Sequence, residues 1–284
     1  MIRLCAFADE ASNDLDRQIA AMKRNGISYL EARGINGKNV ADLTEAEALE
    51  YARRLSAEGI AVWSVGSPLG KVDIDCDFDD YLKKVNHVCR LARIFGAERI
   101  RIFSFYGAYG SEEKVYEYLR RMVKVAEENG IKLCHENEKR VFGDTVERVL
   151  RIRENVDGLK YVYDPANYLE VGEDSAYALE RLHDLTDYFH IKDVIRKSGE
   201  IVPAGYGDGM ISELVARIGD EDKVLTLEPH LALFQGYAEI DGSEMKNKFR
   251  FANNDDSFDA AADALRKILL IRGYTERNGG FSRI

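Results

Sequence analysis

The chain has 284 residues, 45% of them hydrophobic and 32% charged, which is enough apolar sequence for a sizeable core and argues against disorder. Fifty acidic against forty basic residues give a formal net charge of −10, which disfavours nucleic-acid backbones and anionic membranes unless basic residues cluster. They do not cluster: Lys23-Arg24, Arg53-Arg54 and Arg120-Arg121 each lie within an amphipathic pattern and read as solvated helix faces.

Read from the start, the chain alternates short apolar runs with longer amphipathic stretches. The N-terminal segment carries no long apolar region and no window is apolar enough to span a bilayer, so a cytoplasmic protein is expected. Strand candidates cover residues 2–8, 29–35, 61–67, 99–106, 131–138, 159–165, 188–194 and 223–231. Helix candidates between and after them include 45–59, 77–96, 112–130 and 257–274. Gly26, Gly59, Gly96 and Gly130 each precede the next strand, where glycine commonly ends a helix. Cys5, Cys76, Cys89 and Cys134 show no CxxC spacing, so neither a disulfide framework nor a zinc ribbon is expected.

Eight strand and helix units without a Pro-rich linker predict a single-domain (β/α)8 TIM barrel over residues 1–284; about 250 residues is typical of that fold. An open doubly wound sheet is the alternative, but the segment after the first strand, FADEASND, is not a Gly-rich phosphate turn. The GYGDG at 205–209 falls after the seventh strand and reads as a loop.

Barrel enzymes carry their chemistry at the C-terminal ends of the strands. There the fifth strand offers Glu136, Asn137 and Glu138, the sixth Asp164 and Asn167, the seventh His190, Lys192 and Asp193, and the eighth Glu228 and His230. Residues two apart on a strand share a face, which puts Glu136 with Cys134 and His135 with Leu133 on the other side. Leu225 and Leu227 oppose Glu228 and send it into the barrel mouth. Glu136, Asp164, His190 and Glu228 thus converge from four consecutive strands, a donor set suited to Mn²⁺, Mg²⁺, Co²⁺ or Zn²⁺. Without an ion, three converging carboxylates would repel one another and raise their pKa values. In the first half of the chain Glu10, Arg33 and the loop at 66–71 also follow strands. Trp63 reads as core, and His87 and His183 as structural or solvated helix residues.

Through LCHENE, YDPAN, FHIKD, VPAGYGDG and LTLEPH, in that order, the sequence resembles the xylose isomerase-like (β/α)8 family of sugar isomerases, ketose 3-epimerases and inosose dehydratases. The resemblance implies that Glu136, Asp164, His190 and Glu228 are metal ligands and that Arg196 binds substrate. It further implies that Glu136 and Glu228 exchange roles as general base and acid through a metal-stabilised enediolate. Two positions depart from the epimerases: Asn167 stands where they often carry a histidine, and Phe142 where they can carry a glutamate. Glu138, Asn167, Lys192, His230 and Arg33 are further substrate-binding candidates, and Asp193 is expected to support a ligand or a neighbouring loop.

The expected function is a metal-dependent sugar, sugar-phosphate or polyol isomerase or epimerase. A dehydratase of the same family and a non-catalytic metal- or sugar-binding barrel are the alternatives. An apurinic endonuclease of the same fold would need a histidine-rich multinuclear zinc site, and the chain has only five histidines. The expected partner is a small sugar or polyol rather than nucleic acid or membrane, with homo-oligomers left open.

Overall fold

The computed structural model describes residues 1–232 and 251–283. Eight parallel strands form a closed barrel: β1 (Ile2–Ala6), β2 (Tyr29–Ala32), β3 (Ala61–Gly66), β4 (Arg99–Ile102), β5 (Lys132–Glu136), β6 (Lys160–Tyr163), β7 (Tyr188–Ile191) and β8 (Lys223–Leu227). Closure is made by β8, which pairs with both β7 and β1. The strands sit in chain order around the ring, and a register shift between Leu30 and Glu31 interrupts the β2–β3 ladder.

Helices α1 (Leu15–Arg24), α2 (Glu45–Ala57), α3 (Phe78–Phe95), α4 (Glu112–Glu128) and α5 (Val146–Asn155) return the chain after the first five strands. Two helices, α6 (Pro165–Glu170) and α7 (Ser175–Leu182), follow β6. After them come α8 (Ile211–Ile218) and α9 (Asn254–Ile271). The helix starts are encoded locally, because Asp14, Thr44, Asp77 and Thr145 each cap a backbone N–H three residues on. At the other end, Gly96 closes α3 in the left-handed region, and Gly26, Gly59 and Gly130 share its positive φ.

Several strands end earlier than their apolar runs. After β2 the chain turns into a small hairpin, Gly34–Ile35 against Lys38–Asn39, around Asn36-Gly37 with both φ positive. After β7, Asp193–Ile195 leaves the barrel to pair antiparallel with Glu200–Val202. Phe103 and Phe105 no longer continue β4; their N–H groups donate to the carbonyls of Leu69 and Gly70. A C-terminal hairpin, β9 (Tyr274–Arg277) and β10 (Gly280–Arg283), pairs Phe281 with Ile2 at the N-terminal end of β1. No cysteine is bonded to another among the described residues.

Apolar side chains fill the lower barrel and raise the polar ones toward the mouth. Cys134, Val162 and Tyr188, each two residues before Glu136, Asp164 and His190, pack with Cys5 and Val224 into one cluster. Trp63 packs against this plug with the Arg99 guanidinium 3.7 Å over its ring, so it serves the core. A larger shell of aliphatic and aromatic residues joins the strands to the helices.

The mouth-facing loop after β3 is held very close to β4. Gly70 has φ +89°, and a Cβ there would stand 2.2 Å from the Phe103 carbonyl oxygen. Gly70→Ala is therefore expected to destabilise the fold by about 2–4 kcal/mol, read as a lower urea midpoint. An unchanged midpoint would show that this loop moves freely of Phe103.

Candidate active site

Glu136 is the last residue of β5, and Asp164 follows β6 directly. Asp164 Oδ1 caps α6 by accepting the Asn167 N–H at 3.0 Å, and Pro165 at the next position has no N–H to satisfy. That cap fixes the carboxylate and leaves Oδ2 turned inward. Asn137 locks the two strand ends together, donating to the Asp164 carbonyl and accepting the Asp164 N–H, each at 2.9 Å.

His190 stands at the centre. Its Nδ1 lies 2.9 Å from both Glu136 Oε1 and Glu228 Oε2, and its Nε2 lies 3.2 Å from Glu31 Oε2. Potential ligand atoms of Glu136, Asp164, His190 and Glu228 all fall within 4.8 Å of one another, and all four residues are buried. The outer oxygens are held separately: Arg101 Nη1 donates to Glu136 Oε2 and Arg33 Nη1 to Glu228 Oε1, each at 3.0 Å. Phe7 forms the floor, edge-on to His190 and under the Arg33 guanidinium at 4.3 Å.

These residues fit a divalent cation. A single Nδ1 proton can serve one carboxylate, yet two press on it, and Glu228 Oε2 and Asp164 Oδ2 are buried without a hydrogen bond. Lys192 Nζ comes within 2.9 Å of Asp164 Oδ2, but too far off axis to bond it. Around this point gather seven carboxylates, of Asp9, Glu10, Glu31, Glu136, Glu138, Asp164 and Glu228, against the cationic Arg33, Lys71, Arg101 and Lys192. The excess of buried negative charge is what a dication relieves.

The protein's own electrostatics carry the same imprint. Burial, with Glu228 and Glu136 adding to it, pushes Asp164 up to about 7 against the pull of Lys192. Glu10 rises to about 8 by burial beside Glu228 and Asp9, although Arg33 opposes the rise. Burial alone would lower His190, but Glu136, Glu31 and Glu228 overcome it and hold the imidazole well above its ordinary value. Glu228 is drawn well down in spite of its burial, by Lys192 and His190.

A profile of the xylose isomerase-like TIM barrel family matches residues 19–267. The chain belongs to that family. Among solved structures, the probable 3-DHS dehydratase AsbF of Bacillus anthracis is 16% identical, with a TM-score of 0.71 over 94% of this chain and 99% of its own. D-psicose 3-epimerase is 15% identical, with a TM-score of 0.70 over 95% and 99% of the two chains. The IolI protein, solved with a bound zinc atom, is 15% identical, with a TM-score of 0.68 over 94% and 97%. At these identities the likeness is one of fold. No curated protein matches the sequence.

In this xylose isomerase-like barrel most of the residues singled out at strand ends do meet. Asn167 Nδ2 approaches Glu136 Oε1 at 3.5 Å, and its Oδ1 accepts from Lys192 at 2.7 Å. His230, buried and in the left-handed region, donates its N–H to Glu10 Oε2 at 2.8 Å, with its ring Nε2 3.5 Å from Glu228 Oε1. Burial pushes that imidazole down to about 4. Glu138 bonds Lys71 at 2.8 Å instead of the adjacent Lys139 or Arg140 side chains. Asp193 accepts backbone N–H groups from Val194, Gly205, Gly207 and Gly209, tying down the loop after the second hairpin.

Arg196, expected to bind substrate, lies apart from this cluster. The hairpin that leaves the barrel after β7 carries it to an exposed position, where its guanidinium donates to the Gly172 carbonyl and its N–H to Asp208. It lines a separate cavity with Lys197, Asp174 and Met210. Glu31 and Arg101 were not anticipated. Glu31 accepts from His190, from the Tyr188 hydroxyl at 2.9 Å and from Thr226 at 3.1 Å, and does not pair with Arg33. Both sit within strands, where a charge buried on a parallel sheet is itself a signal.

His135, beside Glu136 in sequence, is buried on the outside of the barrel, with Nε2 2.9 Å from Ser104 Oγ. Burial pushes its pKa down from 6.5 to about 3. The unfolded chain takes up a proton below about 6.5 and the folded chain does not until about 3, so this residue's contribution is lost as pH falls. The advantage of the parent over His135→Asn should shrink by roughly 1.4 kcal/mol per pH unit below 6.5 and be flat above it. Urea unfolding from pH 7 to 5 tests this, and parallel pH profiles for the two proteins contradict it.

Proposed function

We propose that this chain is a divalent-cation-dependent isomerase or epimerase of small sugars or polyols, acting by carboxylate-mediated proton transfer. The observation that carries the proposal is the pairing of Glu136 and Glu228. Each points one oxygen at His190 Nδ1 at 2.9 Å and has the other held by its own buried arginine.

Glu136, Asp164, His190 and Glu228 would hold the cation, which when bound supplies Lewis-acid polarisation of a carbonyl and its neighbouring hydroxyl. Mn²⁺, Mg²⁺, Co²⁺ and Zn²⁺ all suit this donor set. Glu136 removes the proton from the carbon next to the carbonyl, and Glu228 supplies one from the opposite side. Arg101 and Arg33 aim these carboxylates by holding their outer oxygens. Lys192, Asn167 and His230 stand beside the acidic cluster as donors for substrate oxygens, while Glu138, aimed by Lys71, accepts from a hydroxyl. Return of the proton to the other face of the same carbon gives an epimer, and return to the neighbouring carbon gives an aldose–ketose isomer.

Elemental analysis of the purified protein, with metal-dependent uptake of solvent deuterium into ketoses, inososes and their phosphates, tests the proposal. Near-stoichiometric divalent metal and exchange that chelation abolishes are expected. Metal without exchange points to a binding barrel, and loss of water from the substrate points to a dehydratase. Among the described residues no helix is long and apolar enough to cross a membrane.

A further inference from the structure

Beside the acidic cluster, on the β1–β4 side of the mouth, lies a cleft of about 280 Å³. Its walls carry Arg33, Lys38, Lys71 and Arg101 with Asp9 and Asp42, and each of the four cations also meets a carboxylate: Arg33 meets Asp9, Glu10 and Glu228, Lys38 meets Glu47, Lys71 meets Glu138 and Arg101 meets Glu136. Arg33 and Arg101 are the same arginines that hold Glu228 and Glu136, so the cleft opens directly onto the proposed acid and base.

Arg101 is the residue that points to a ligand. It is 4% exposed, and among the described residues its side chain makes one hydrogen bond, from Nη1 to Glu136 Oε2. Nε is buried without an acceptor, and Nη2 has none among the described residues either. A buried guanidinium left with unused donors is costly unless a ligand supplies the acceptors. Nη2 lies 3.3 Å from where a Cβ of Gly66 would stand, a position that Phe7, 2.5 Å away, also keeps free of a side chain. Lys71 joins it: Lys71 Nζ and the Arg101 guanidinium lie 4.3 and 4.4 Å from the centroid of the Phe103 ring, which also lines the cleft. Lys71 Nζ also donates to Glu138 Oε2 at 2.8 Å, which holds the ammonium beside the Arg101 fork.

We infer that the substrate carries an anionic group, a carboxylate or a phosphate, which this cleft receives on the planar fork of Arg101 with Lys71 beside it. The inference rests on the isomerase or epimerase assignment and narrows its substrate class. Neutral sugars leave the Arg101 donors partly unmet and bind more weakly.

The test is solvent deuterium exchange by the metal-loaded full-length chain on matched sets: a neutral ketose, its terminal phosphate and the corresponding keto-acid. A kcat/KM at least about 100-fold higher for an anionic member supports the inference, and the preferred member separates phosphate from carboxylate. Equal or better turnover of the neutral member overturns the inference and leaves the isomerase assignment standing. Turnover of no member overturns the isomerase assignment, and the anion site then rests on calorimetry with inorganic phosphate and with acetate. Binding of either that is weakened about tenfold or more in Arg101→Lys, which keeps the charge and loses the fork, supports the site. Absence of binding by both, or binding unchanged by that substitution, overturns it.

Discussion

Replacement of Glu228 by Gln is expected to lower proton exchange by about 10³-fold or more while leaving the barrel folded. An amide cannot take up or release the proton, and it removes one of the two carboxylates that press on His190 Nδ1. Of its three acidic partners among the described residues, the buried Arg33 loses one but retains Asp9 and Glu10, which is why the fold survives. Metal content should fall as well, since the amide oxygen is a weaker and neutral donor. Glu136→Gln should behave alike, with Arg101 as the stranded cation. Exchange rates and metal stoichiometry are measured together on each variant. Exchange within tenfold of the parent in either one would remove that residue from the acid–base pair.

The largest effect on stability is expected at Arg33. Its guanidinium is 4% exposed and reaches Asp9 at 2.9 Å, Glu10 at 3.2 Å and Glu228 at 3.0 Å. Arg33→Met keeps much of the stem that lies over Phe7 and deletes the charge, stranding buried carboxylates at a cost of about 3–5 kcal/mol at neutral pH. Arg33→Lys should recover only part of this, because one ammonium cannot present the fork that meets three acids at once. Urea midpoints of the parent and both variants decide the matter. A loss under 1 kcal/mol in Arg33→Met would mean that solvent or protonation already neutralises the group.

The barrel was legible in the sequence because eight apolar runs alternate with amphipathic stretches and glycine stops, signals that act locally. Alternation also placed Glu136 inward and His135 outward, since a two-residue period needs no tertiary information. Glu31 and Arg101 lie inside YLEA and RIRI, where the strand ends give no sign of them. Their partners come from strands far away in the chain, and only closure of the ring brings them together. Arg196 stands apart from the cluster because the antiparallel hairpin after β7 redirects the chain, which spacing from His190 does not carry. Asn36-Gly37 was a hairpin signal in plain sight, masked by the apolar run before it.

Glu136 and Glu228 are held alike, each strung between one imidazole nitrogen and one guanidinium. On the roles proposed for them, these matching contacts position both carboxylates without by themselves making one the donor and the other the acceptor. Stereochemical choice would then lie in how the cleft walls turn the substrate before either carboxylate reaches it, and altered selectivity is better sought by substitution at the walls than at the pair.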